Sequence, residues 1–152
     1  GKAFPATVGT GANGSSGVAQ EVNATEGAIT YVEAGFADKK ANIDFGGGPV
    51  ELTDEAVEKT LDNLEFKTEG HNMVVDAAKL FAMDGADTYP LILTTYEIVC
   101  SKYPDAKVGT SVKSFLNFFA SDEEQKAIEE IGYAPLPTEI SGKVKTAIAA
   151  IS

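Results

Sequence analysis

The spacing of apolar positions changes period several times along this chain, and each change marks an element. Behind Ser15 and Ser16, either of which can cap a helix, Val18, Ala19 and Val22 fall on one helical face, and Gly27 ends the run. Ala28-Ile29-Thr30-Tyr31-Val32-Glu33 is dense in β-branched and aromatic residues and predicts a strand. The opening Ala3-Phe4-Pro5-Ala6-Thr7-Val8 predicts another, which Pro5 confines to an edge or a strand start. A short helix through Phe36 and the strand-like Asn42-Ile43-Asp44-Phe45 lead to a break at Gly46-Gly47-Gly48. Thr53, with Asp54 and Glu55 behind it, starts a helix whose inward stripe is Ala56, Val57, Thr60, Leu61 and Leu64.

Residues 65–88 are acidic and weakly patterned, with a helix through Val74, Ala77, Ala78 and Phe81. After Tyr89-Pro90, the apolar, β-branched run 91–100 predicts a long buried strand. The last third is helical. Val108, Val112, Phe115, Leu116 and Phe119 share a face, and helical spacing makes these phenylalanines core. Ser121-Asp122-Glu123-Glu124 is a capping box whose helix Gly132 closes. Tyr133-Ala134-Pro135-Leu136-Pro137 is a rigid link to a final helix that turns Ile140, Val144, Ala147, Ile148 and Ile151 inward. Strands alternating with helices give an α/β fold class.

Composition narrows the chemistry. The 152 residues carry 12 basic and 23 acidic side chains, for a formal net charge of −11. Every basic residue is a lysine, so no guanidinium fork can clamp an anion from within this chain. The acidic balance argues against nucleic-acid partners and against docking on anionic membrane. The single cysteine, Cys100, cannot form an internal disulfide, and its apolar surroundings predict a buried, inert thiol. No apolar stretch approaches the ~20 residues that cross a bilayer. There is no signal-like start, and a first residue Gly1 suggests a processed chain or an excised piece.

One motif is sharp. Gly9-Thr10-Gly11-Ala12-Asn13-Gly14 is a literal G-x-G-x-x-G between a predicted strand and a predicted helix, and Glu33 ends the next strand. That arrangement is the dinucleotide fingerprint, which makes a nucleotide-dependent enzyme domain the alternative function. Gly17 interrupts the expected helix, however, and too few further βα units follow. The same Gly/Ser loop can bind a simple anion through successive backbone N–H groups, or its glycines can merely solve a tight turn. His71 lies in a polar stretch and reads as a solvated surface histidine; no G-x-S-x-G elbow accompanies it. The acids of 51–87 form no calcium loop and read as a solvated face. No metal site, cofactor or reacting constellation is expected.

Several segments together resemble one family. Phe4-Pro5, the loop 9–17 running into Gly17-Val18-Ala19, and Gly27-Ala28-Ile29-Thr30-Tyr31-Val32-Glu33 are similar to the second lobe of the phosphate-binding proteins of bacterial Pst-type ABC transporters. Tyr89-Pro90 through Thr94-Thr95-Tyr96 resembles that family's return strand. Phe115-Leu116-Asn117-Phe118-Phe119, Gly132-Tyr133-Ala134-Pro135-Leu136-Pro137 and the last helix resemble its C-terminal end. The resemblance implies part of a two-lobed, hinged, periplasmic-binding-protein-like fold, with residues 1–96 in the second lobe and 97–152 returning into the first. It implies no enzyme. The parent would be an extracytoplasmic protein, at the cell surface or in a periplasm, with a lipid anchor through its missing N-terminus as one option that the sequence leaves open. It would capture inorganic phosphate and deliver it to an ABC transporter permease.

The family's arginine followed by Ser-Gly-Thr has no match here, so no ligand contact carries over. Asn13, Gly14, Ser15 and Ser16 remain as cleft-lining candidates. The resemblance also implies a missing sheet. Ile98, Val99, Phe115, Leu116, Phe118, Phe119, Ile128, Ile131, Val144, Ile148 and Ile151 would then lie partly exposed in the isolated chain, to be covered by the missing N-terminal part of the same protein or by a neighbouring copy. A surface interaction module is a third possibility.

Overall fold

The computed structural model describes residues 8–152, so the strand predicted at the start of the chain lies, but for Val8, outside the described residues. The chain divides into two compact units, Gly1–Lys40 and Ala41–Ser152.

In the first unit, helix α1 spans Gly14–Ala24 and a single 3₁₀ turn spans Ala34–Phe36. The cap is Asn13 rather than either serine. Gly27, at φ +77°, takes the left-handed turn that ends the helical segment, which suits glycine. The strand predicted over 28–33 does not form: this stretch is without regular structure, and Ile29 and Tyr31 are exposed. A strand needs a partner ladder, and β propensity supplies none.

The second unit begins with an antiparallel hairpin, β1 (Ile43–Asp44) and β2 (Pro49–Val50), in which Ile43 faces Val50. The carboxylate of Asp44 accepts from the N–H groups of Gly46 (2.8 Å) and Gly48 (3.1 Å), holding the turn. Gly47 has a different task. A Cβ there would lie 2.3 Å from the Asp84 carbonyl oxygen, so only glycine lets segment 84–86 approach.

Helix α2 (Asp54–Asp62) forms as its sequence predicts. Thr53 caps it by accepting from the Ala56 N–H at 3.2 Å, and Ala56, Val57, Thr60 and Leu61 are buried. Helix α3 (Ala77–Leu80) is one turn, capped by Asp76, and shorter than expected. Val74 lies outside it, next to an isolated bridge between Phe66 and Val75, and Phe81 is exposed.

Helices α4 (Ala106–Phe119), α5 (Asp122–Glu130) and α6 (Thr138–Ala149) fill the last third. Ser121 accepts from the Glu124 N–H at 3.3 Å, as the capping box requires. Three linked apolar clusters replace a single core. One joins α4 to α6 through Leu116, Ala120, Ile148 and Ile151. Another sets Val57 and Leu61 of α2 against Ile140 of α6. The third packs Val50, Ala56 and Tyr89 under the hairpin, where Phe45 meets Tyr89 edge to face at 5.5 Å. The result is a mixed architecture of helices and a small sheet, in keeping with an α/β portion of a larger fold.

Three further expectations change. Residues 91–100 are not a buried strand; they form no ladder among the described residues, and Leu91, Leu93, Tyr96, Ile98 and Val99 are exposed. Cys100 is accordingly an exposed free thiol. The phenylalanines of α4 are not core within this chain, since Phe115 and Phe118 are 58% and 59% exposed. Their spacing marks an apolar face, and nothing in the described residues covers it. Ile98, Val99 and Ile131 are exposed as well, whereas Leu116, Ile148 and Ile151 are buried. No described helix is long and apolar enough to cross a membrane.

Candidate functional site

The four candidates Asn13, Gly14, Ser15 and Ser16 are consecutive at the start of α1, Asn13 as the cap and the others as its first turn. Helix geometry leaves the first backbone N–H groups without intrahelical partners, and they carry the positive end of the helix dipole. The Asn13 side chain does not cap them, and the first turn holds no acid. Gly9 (φ +106°) and Gly14 (φ +68°) bend the approach through left-handed conformations that favour glycine. Asn13, Gly14 and Ser16 are exposed and Ser15 is half-buried. The loop therefore presents backbone donors and the Ser16 hydroxyl to solvent, an arrangement suited to an anion.

Glu33 stands beside this turn, where its carboxylate accepts a hydrogen bond from the Ser15 hydroxyl at 3.4 Å. A carboxylate near a nest of N–H donors opposes a fully ionised anion and can accept from a protonated one. The dinucleotide alternative needs Glu33 at the end of a strand, reaching for a ribose. It instead precedes the 3₁₀ turn, after a stretch with no strand, and the nucleotide reading is not favoured. The sequence singled out Glu33 but missed its pairing with Ser15, because contact across eighteen positions is a tertiary fact.

Two open clefts lie in the second unit. One, of about 510 Å³, is lined by Gly70, His71, Glu139, Gly142, Lys143 and Thr146. Lys143 donates to Glu139 at 2.7 Å, and this ammonium holds the Glu139 carboxyl below its ordinary value. Lys143 also sits 5.5 Å from the centroid of the Phe66 ring. His71 is exposed here, and no serine or cysteine lines the cleft. The other, about 350 Å³, is bordered by the Glu65–Lys79 ion pair. That carboxylate raises the Lys79 ammonium above its usual value. Both pairs are neutralised internally. No group of three or more His, Cys, Asp or Glu side chains among the described residues could hold a metal ion.

Sequence comparison adds an independent line. The profile of the PBP superfamily domain matches residues 1–123. The chain is similar to phosphate-binding protein PstS3 of Mycobacterium bovis, at 39% identity over 100% of this chain and 42% of that protein. It is similar to phosphate-binding protein PstS 2 of Mycobacterium tuberculosis, at 37% identity over 98% of the chain and 42% of that protein. Phosphate-binding protein PstS 3 of Mycobacterium leprae gives 37% identity over 100% and 42%. The chain thus spans less than half the length of these relatives. No solved structure matches it significantly.

Proposed function

Because the chain belongs to the PBP superfamily, we propose that it is a portion of an extracytoplasmic solute-binding protein that captures inorganic phosphate for uptake by an ABC transporter. The supporting observation is alignment over essentially the whole chain, at 37–39% identity, with relatives whose names all describe phosphate binding. Those names describe binding, and we take the chain as a binding protein rather than an enzyme. The complete protein works outside the cytoplasm, at the cell surface or in a periplasm, and hands its ligand to the transporter's permease.

In this function the start of α1 forms one wall of the anion site. The N–H groups of Gly14, Ser15 and Ser16 and the amide of Asn13 donate to phosphate oxygens, and no cation is needed. Such dipoles bind an anion without the long-range attraction of a positive surface, which reconciles phosphate capture with a charge of −11. The remaining donors come from outside this chain, which has no arginine. Ligand favours the closed arrangement because both walls then donate to it.

Calorimetric titration of the full-length protein that carries this sequence tests the proposal. Phosphate should give saturable heat with a dissociation constant of roughly 1 µM or tighter, equivalent to about −8 kcal/mol. Absence of binding up to roughly 1 mM phosphate would overturn it.

A further inference from the structure

Of the six asparagines in the sequence, Asn13 alone is followed by a glycine. The others precede Ala24, Ile43, Leu64, Met73 and Phe118, whose side chains crowd the peptide nitrogen behind the asparagine. Asn13 and Gly14 are both exposed where the loop enters α1, and the Asn13 side chain makes no capping hydrogen bond. The side-chain amides of Asn23 and Asn63 are held instead, by the Asp38 carboxylate and the Lys59 carbonyl, each at 2.7 Å.

Asparagine is a thermolabile residue because its side-chain carbonyl carbon can close a five-membered ring with the next backbone nitrogen. Gly14 stands at the first helical position, where no intrahelical carbonyl engages its N–H. At the Asn13 ψ of 113° the ring closes only after rotation about the Cα–C bond. Gly14 permits that rotation. It sits at φ +68° without a Cβ, and a Cβ built there would meet no atom within 4 Å.

We propose that Asn13-Gly14 is a self-modifying site that deamidates to aspartate or isoaspartate at the cap of α1. The Gly14 nitrogen loses its proton and bonds to the Asn13 side-chain carbonyl carbon, the bond to Nδ2 breaks, and ammonia leaves. Water then opens the succinimide at either carbonyl, giving aspartate, or isoaspartate with the backbone rerouted through the side chain. Both products carry one new negative charge. A carboxylate here competes for the first-turn N–H groups and repels an anion that approaches them. The resulting loss of phosphate affinity rests on the reading that the start of α1 donates to phosphate.

Ageing the full-length protein that carries this sequence in warm, mildly alkaline buffer, with peptide mapping by mass spectrometry, tests the site. Asn13 should show the mass gain of an amide turned acid before any other asparagine, and faster as pH rises. Asn13→Gln should abolish the gain in that peptide, because the longer side chain closes its ring far more slowly. An Asn13 that stays intact while another asparagine converts, or long after a free peptide of residues 10–16 has converted fully, would overturn the proposal. Calorimetry with phosphate on full-length Asn13→Asp reads the consequence. Affinity should fall roughly tenfold from that of the unaged protein, and an unchanged affinity would overturn the predicted loss. Unaged protein that fails to bind phosphate would remove the functional reading and leave the modification site standing, since mass alone reports it.

Discussion

Thr60 has no solvent-exposed surface, and its hydroxyl makes two hydrogen bonds. It donates to the Ala56 carbonyl at 2.8 Å and accepts from the Tyr89 N–H at 2.7 Å, tying α2 to the segment that leads into 91–100. Thr60→Val keeps the volume and removes both bonds, leaving the Tyr89 N–H only its 3.3 Å contact with the Ala56 carbonyl. The expected cost is about 1–3 kcal/mol, read from urea or thermal unfolding; a change under about 0.5 kcal/mol would show that the bond does not matter. Asp76 predicts a pH dependence. Burial works to raise its carboxyl, but the N–H groups of Lys79 and Ala78 and the Lys67 ammonium outweigh it and bring the group below its ordinary value. A carboxyl lowered on folding stabilises the fold above its unfolded value of ~3.9 and loses that contribution as pH falls through the folded value. The stability gap between the natural chain and Asp76→Asn should therefore be present at neutral pH and shrink below pH ~4. A gap that stays constant into acid would contradict this. Neither role was visible beforehand. Thr60 was legible only as one position of an apolar stripe, because its partner lies 29 residues away.

At the scale of elements, legibility followed the range of the interactions. Helices α2, α4, α5 and α6 were readable because caps and stripes are local: Thr53 and Ser121 accept from backbone three residues on, and Ile140 and Ile148 repeat at helical spacing. The strands at 28–33 and 91–100 were misread because β-rich composition announces a strand without supplying its neighbour. Cys100 was misread with them, since its burial depended on that sheet. The glycine-rich loop before α1 was legible as a glycine pattern, but its cap fell to Asn13 and its neighbouring acid proved to touch Ser15. The hairpin β1–β2 offers a test at this scale. Gly47→Ala would set a methyl carbon against the Asp84 carbonyl and the Ala86 amide, so the turn must lift off segment 84–86. A loss of about 1–3 kcal/mol is expected, whereas Gly48→Ala meets no atom nearby and should show only the strain of its positive φ. Equal losses from both would mean that close packing is not what fixes Gly47.

Among the described residues, three small apolar clusters stand beside an exposed apolar segment at 91–100 and the exposed phenylalanines of α4. In the proposed function the ligand site is shared with the rest of the protein. The start of α1 supplies a handful of donors in a protein without arginine, and each net hydrogen bond formed in water is worth only about 1 kcal/mol. Such a wall can complete a phosphate site but cannot make one. The most direct test is calorimetric titration of the 152-residue chain itself with phosphate at neutral pH. No saturable heat is expected at micromolar ligand; a dissociation constant near ~1 µM would contradict the account and place a complete anion site within residues described here as structural.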